Sequence, residues 1–156
     1  MTLVTSGLTP GHVVTVWWVV FNSPEDCTHG EAGLRCGEGD LLVAEGAPEV
    51  EGTVLYAAGA IIGPDGSGHF SAYLPTGDTS HVTFGLGPGL TRPWGADIHA
   101  VVRDHGPAQA GLLGQQIGTF GGGCLDAPEG AGTAGNFECV DLQFAAHEQS
   151  LVVAAR

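Results

Sequence analysis

Gly95-Ala96-Asp97-Ile98-His99-Ala100-Val101-Val102-Arg103-Asp104-His105-Gly106-Pro107 is the stretch that decides how this chain of 156 residues is read. Run as an extended strand, it places Asp97, His99, Val101, Arg103 and His105 on one face and Ile98, Ala100 and Val102 on the other, because successive side chains alternate. A carboxylate, two imidazoles and a guanidinium then stand in a row, next-but-one residues about 7 Å apart. The apolar alternate belongs to a core. The polar alternate predicts a solvent-facing sheet surface and the first candidate for a site.

Outward from this strand the chain is punctuated by turn formers. With 27 Gly, 9 Pro and 7% aromatic residues, it favours short strands joined by tight turns over long helices. The expected fold class is all-β, an antiparallel β-sandwich or barrel-like sandwich with two disulfide-pinned loops, in a single domain over residues 1–156. His12-Val13-Val14-Thr15-Val16-Trp17-Trp18-Val19-Val20-Phe21 is apolar on both faces and reads as a central strand. Within it, Trp17 and Trp18 are core on one side and a candidate ligand-binding wall or homo-oligomer contact on the other. Residues 53–62 and 69–74 flank Gly63-Pro64-Asp65-Gly66-Ser67-Gly68, which predicts an antiparallel hairpin. His81-Val82-Thr83-Phe84 is a further short strand, residues 108–116 one or two helical turns, and 137–146 and 151–155 the last strands. The acidic stretch 24–51 reads as a long loop with at most a short strand near Leu41-Leu42-Val43.

Charge narrows the partners. Seventeen acidic residues stand against four arginines and no lysine, for a net charge of −13 with histidine neutral. Phosphate backbones and anionic membrane surfaces are bound through clustered Lys and Arg, so neither nucleic acid nor a membrane surface is an expected partner. Lysine-based Schiff-base and phosphate-loop chemistry is excluded outright. No apolar run reaches the roughly 18 residues of a membrane span. The first ten residues lack a basic region followed by an apolar one, so the sequence is expected to begin at a mature or trimmed end. Seven histidines predict association sensitive to pH between about 5 and 7.

The cysteines point to an oxidising compartment. Cys27 and Cys36 lie nine positions apart, Cys124 and Cys139 fifteen apart, and no C-x-x-C pair is present. Four cysteines allow three connectivities, of which the local one, 27–36 with 124–139, closes two irregular loops. Two disulfides place the chain at the cell surface or in secretions.

The candidate catalytic residues are Asp97, His99, Arg103 and His105. The candidate metal ligands are His99, His105 and His147, for Cu or Zn. Along a straight strand His99 and His105 are about 20 Å apart, so a shared ion needs a bend at Gly106-Pro107 or a histidine from elsewhere: His12, His69, His81 or His147. A second polar patch, Asp141, Gln143 and His147, alternates with Val140, Leu142, Phe144 and Ala146. It merges with the first if the two strands are neighbours, and with Trp17 and Trp18 it is the candidate ligand-binding surface. Neither G-x-S-x-G nor H-E-x-x-H occurs.

At Gly89-Leu90-Thr91-Arg92-Pro93-Trp94-Gly95-Ala96-Asp97-Ile98-His99, followed by His105-Gly106-Pro107-Ala108, the chain resembles the CHRD domain of chordin and many bacterial secreted proteins. The resemblance covers residues 54 to about 120. Asp97-Ile98-His99 stands where the family often shows His-x-His. The resemblance implies an extracellular β-sheet domain and no particular reaction.

The leading expectation is a non-enzymatic extracellular binding or structural module with an unknown partner. The alternatives are a metal-binding or hydrolytic enzyme built on the His/Asp patch, and a small-ligand-binding β-barrel walled by Trp17 and Trp18.

Overall fold

The computed structural model describes residues 1–30, 34–41, 48–85, 87–125, 127 and 132–147, without the side chains of 84–85 and 143–147. The strands are β1 (Thr2–Thr5), β2 (His12–Phe21), β3 (Gly52–Ile61), β4 (Gly68–Ser71), β5 (Val82–Gly85), β6 (Asp97–Pro107) and β7 (Val140–His147), with one short helix α1 (Leu113–Gly118). They form an all-β antiparallel sandwich of two sheets, one of order β1-β4 and one of order β5-β3-β2-β6-β7. Both expected disulfides are present, Cys27–Cys36 and Cys124–Cys139, each with Cα atoms 5.2 Å apart. Each contributes about 2–3 kcal/mol by restricting the unfolded chain.

The doubly apolar sequence of β2 has the place expected of it, in the middle of the larger sheet with nine of its ten residues buried. Its Val, Trp and Phe side chains supply much of the core, each worth about 1.5–3 kcal/mol on full burial. The other central strand is β6, buried from Asp97 to Gly106. The solvent-facing surface expected from its polar alternate is therefore corrected: both faces of β6 are covered.

The predicted hairpin is also corrected. β4 pairs with β1, in the register Thr2↔Ser71 to Thr5↔Gly68, and lies in a different sheet from β3. The chain leaves β3 at Ile62, whose backbone exchanges hydrogen bonds with Gly11 and His12. A turn closed by Gly66 N–H to the Gly63 carbonyl, with Gly66 at φ +67°, then redirects it. The N-terminal residues, for which the sequence predicts no strand, supply the partner edge.

The acidic segment carries 3₁₀ turns at Pro24–Asp26, Glu38–Asp40 and Pro48–Val50. Of the strand expected near Leu41-Leu42-Val43 only Leu41 is described, ending the turn Glu38–Asp40; Leu42, Val43 and residues 151–155 lie outside the described residues.

Contacts gather the chain into two compact units. The first comprises Met1–Trp17, Tyr56–Tyr73 and Val101–Phe144, the second Trp18–Leu55, Leu74–Ala100 and Ala145–Arg156. In the second unit the buried Asn22 organises a loop. Its Nδ2 donates to the carbonyls of Gly89 (2.7 Å) and Glu51 (3.4 Å), and its Oδ1 accepts from the backbone N–H of Thr91 (2.8 Å) and Arg92 (3.3 Å).

Candidate functional site

The polar row of β6 is divided between the two units. In the first, alternation brings His105 to the side of β2 that carries Thr15 and Trp17. His105 Nδ1 lies 2.8 Å from the Gly122 carbonyl, Nε2 lies 2.7 Å from Thr15 Oγ1, and Trp17 Nε1 donates to that same oxygen at 2.6 Å. A carbonyl only accepts, so Nδ1 carries the proton and Nε2 accepts from the Thr15 hydroxyl. The chain of donors runs in one direction, indole to hydroxyl to imidazole, with no group left short. Burial pushes the His105 pKa down; the bond to Gly122 opposes the shift and the nearby Arg103 charge adds to it. The imidazole is neutral.

Arg103 is held as firmly. Its Nε donates to the Phe120 carbonyl (2.9 Å), Nη1 to Asp141 Oδ1 (2.8 Å), and its guanidinium lies 4.3 Å from the centre of the Phe120 ring. Trp17 meets Phe120 and Tyr56 edge to face, centroids 5.2 and 5.3 Å away. Gln116 of α1 donates to the carbonyls of His105 (3.1 Å) and Pro107 (3.0 Å) and accepts from Gln109 N–H (2.9 Å). Residues after β6 thus fold back over its polar alternate, a covering that periodicity within the strand does not encode.

In the second unit, Asp97 and His99 are both buried and paired, Oδ2 to Nε2 at 3.1 Å, and the His99 ring packs edge-on against Phe21 at 5.3 Å. Asp97 Oδ1 is buried without a hydrogen-bond partner among the described residues.

The adjacency expected of the last strand is present: β7 is the neighbour of β6, and the Arg103–Asp141 pair joins them. The side chains of Gln143 and His147, and of Phe144 and Ala146, lie outside the described ones. Val140 and Leu142, expected on a core face, are 47% and 41% exposed, and among the described strands β7 ends the sheet. Trp17 and Trp18 are buried core on both sides; the expected open wall is corrected.

One pair escaped the sequence reading. His12 Nδ1 sits 3.0 Å from both carboxylate oxygens of Asp104, whose Oδ1 also accepts from Gly106 N–H at 2.7 Å. The His12 ring meets Phe137 edge to face at 5.5 Å, and its side chain is 16% exposed. The available signal was Asp104 itself. A carboxylate in register with Ile98, Ala100 and Val102 is a charge on an apolar face, and a buried charge requires a partner.

The chemistry open to these groups is limited by access. Thr15 and His105 have the connectivity of a hydroxyl and its base, but both are wholly buried. Among the described residues two clusters could hold a metal ion, His105 with Cys124 and Cys139, and Cys27 with Cys36 and Asp40; neither includes His99. No protein-family model, curated protein or solved structure matches the chain.

Proposed function

We propose that this protein is an extracellular or cell-surface β-sandwich module that binds or builds, without catalysing a reaction. The observation that carries the reading is the use made of the polar row: Asp97, His99, Arg103 and His105 are buried and bonded to groups of the same chain. Groups spent in this way specify a core. Two disulfides suit an oxidising compartment. No helix among the described residues is long and apolar enough to cross a membrane. The partner is a protein or matrix component that tolerates a strongly acidic surface, and nucleic acid is not favoured. The CHRD-like residues 89–99 and 105–108 fit the same reading.

The test is localisation together with turnover. Chain recovered from culture medium or the cell surface with no free thiol, and silent against ester, phosphoester and glycoside panels, supports the module. Hydrolysis that disappears in His105→Gln while the fold is kept would overturn it. The metal-binding or hydrolytic alternative keeps one observation of its own, the part-exposed His12 imidazole oriented by Asp104. Turnover lost in His12→Gln would favour that alternative.

A further inference from the structure

The second disulfide has an imidazole against it. His105 Nδ1 lies 3.8 Å from Cys124 Sγ and 4.0 Å from Cys139 Sγ, and the three donor atoms lie within 4.8 Å of one another. Arg103 Nη2 is 4.0 Å from Cys124 Sγ. On its far side the same imidazole meets Thr15 Oγ1 at 2.7 Å.

We propose that Cys124, Cys139 and His105 form a redox-gated site for a soft monovalent cation, Cu(I), closed while the disulfide is intact and opened by its reduction. The opening step is a thiol–disulfide exchange: a dithiol reductant gives two electrons and two protons, the Cys124–Cys139 bond breaks, two thiols form, and the reductant becomes a disulfide. Cu(I) then displaces one proton from each thiol. The His105 ring changes tautomer: Nδ1 gives up its proton, releasing the Gly122 carbonyl, and Nε2 gains one; the Thr15 O–H turns away from Nε2 so that its oxygen accepts the new N–H, and Nδ1 becomes the third ligand. Neither copper nor histidine changes oxidation state.

The surroundings suit that product. Two thiolates and one imidazole around Cu(I) carry a net charge of −1, and the Arg103 guanidinium beside Cys124 offsets it. Metal-bound histidines donate their other ring N–H to a fixed acceptor, and the Thr15 oxygen already stands at that position. Thiolate donors select soft ions, and three donors match trigonal Cu(I) better than Zn(II), which takes four ligands in structural sites. The cluster at the first disulfide lacks this fit. Its third donor is a hard carboxylate, and Asp40 already accepts from the backbone N–H of Thr28, His29 and Gly37 and lies 3.2 Å from His29 Nδ1.

The experiment is a Cu(I) titration of the full chain against a chromophoric Cu(I) chelator, oxidised and after dithiol reduction with the reductant removed, and with near-UV circular dichroism followed throughout. The Cys27→Ser/Cys36→Ser variant isolates the second pair. The expected result is no binding when oxidised, one Cu(I) per reduced chain in this variant, and X-ray absorption fitting two sulfurs and one nitrogen. His105→Gln should weaken binding by more than about tenfold, and Thr15→Val by about tenfold, as loss of a partner behind the ligand does. Equal affinity in His105→Gln, a sulfur-only shell, stronger retention of Zn(II) than of Cu(I), or a reduced chain that loses its near-UV signal and does not regain it with Cu(I) would each overturn the proposal.

Discussion

Arg103 and Asp141 form an ion pair with unequal members. The Asp141 side chain is 34% exposed and can return to water, whereas Arg103 also holds the Phe120 carbonyl and ring from a buried position. Removing the carboxylate leaves a guanidinium with two partners; removing the guanidinium strips a carbonyl and a ring at once. Asp141→Asn should therefore cost about 0.5–1 kcal/mol, as a part-exposed pair does. Arg103→Met should cost about 2–3 kcal/mol, with a charge-assisted hydrogen bond and a stacked cation lost. Urea denaturation of both variants checks the asymmetry, and equal costs would refute it. His105 makes a second prediction at this scale. Its pKa is held down in the fold, so below about 6.5, the ordinary value for histidine, the unfolded chain takes up a proton that the folded chain refuses. The stability it contributes is complete above that pH and is lost as pH falls, at up to about 1.4 kcal/mol per pH unit. Melting curves from pH 8 to pH 5 should show this slope, reduced in His105→Gln.

Among the elements, β6 shows what alternation can and cannot reveal. The doubly apolar pattern of β2 correctly makes it central, and in β6 the period of two brings His105 to Thr15 of β2. Alternation does not tell whether a face meets water or protein. That depends on residues 115–124, which return over β6 through Gln116, Phe120 and Gly122. Charged and imidazole side chains bias any reading towards the surface, and here the bias misleads. β4 fails for a related reason: the turn at 63–68 was legible, but turn residues do not say which strand lies beyond the turn. The local disulfides were legible because a short, turn-rich span between two cysteines leaves them near each other. The end of β6 carries the prediction at this scale. Gly106 has φ +77°, and a Cβ there would collide with the Phe137 ring. Gly106→Ala should cost about 2–5 kcal/mol, part backbone and part collision. In a Phe137→Ala background only the backbone part, about 1–2 kcal/mol, should remain. A double-mutant cycle by calorimetry measures the difference, and simple additivity would show that the ring does not impose the glycine.

For the molecule as a whole, the net charge of −13 governs association. Protonating histidines lowers it, and burial, by holding the His105 pKa down, makes that imidazole resist taking part. Light scattering should rise between pH 7 and pH 5, and added salt at pH 7 should mimic the rise by screening. A flat series would exclude charge as the restraint. Trp17 and Trp18 are enclosed, so contacts formed on acidification must use other surfaces, among which Val140 and Leu142 are the exposed apolar groups of an edge strand. Asn22 has a consequence of a different kind. One internal amide fixes the main chain of residues 89–92 through backbone atoms alone, and a few positions on, Trp94 stands 77% exposed. The shape of that loop is thus insured by a residue outside it. Gly89, at φ +80°, and the buried Leu90 are held to their identities, but the exposed Trp94 just beyond is not, and that position can serve as a display on which recognition changes while the frame beneath stays constant.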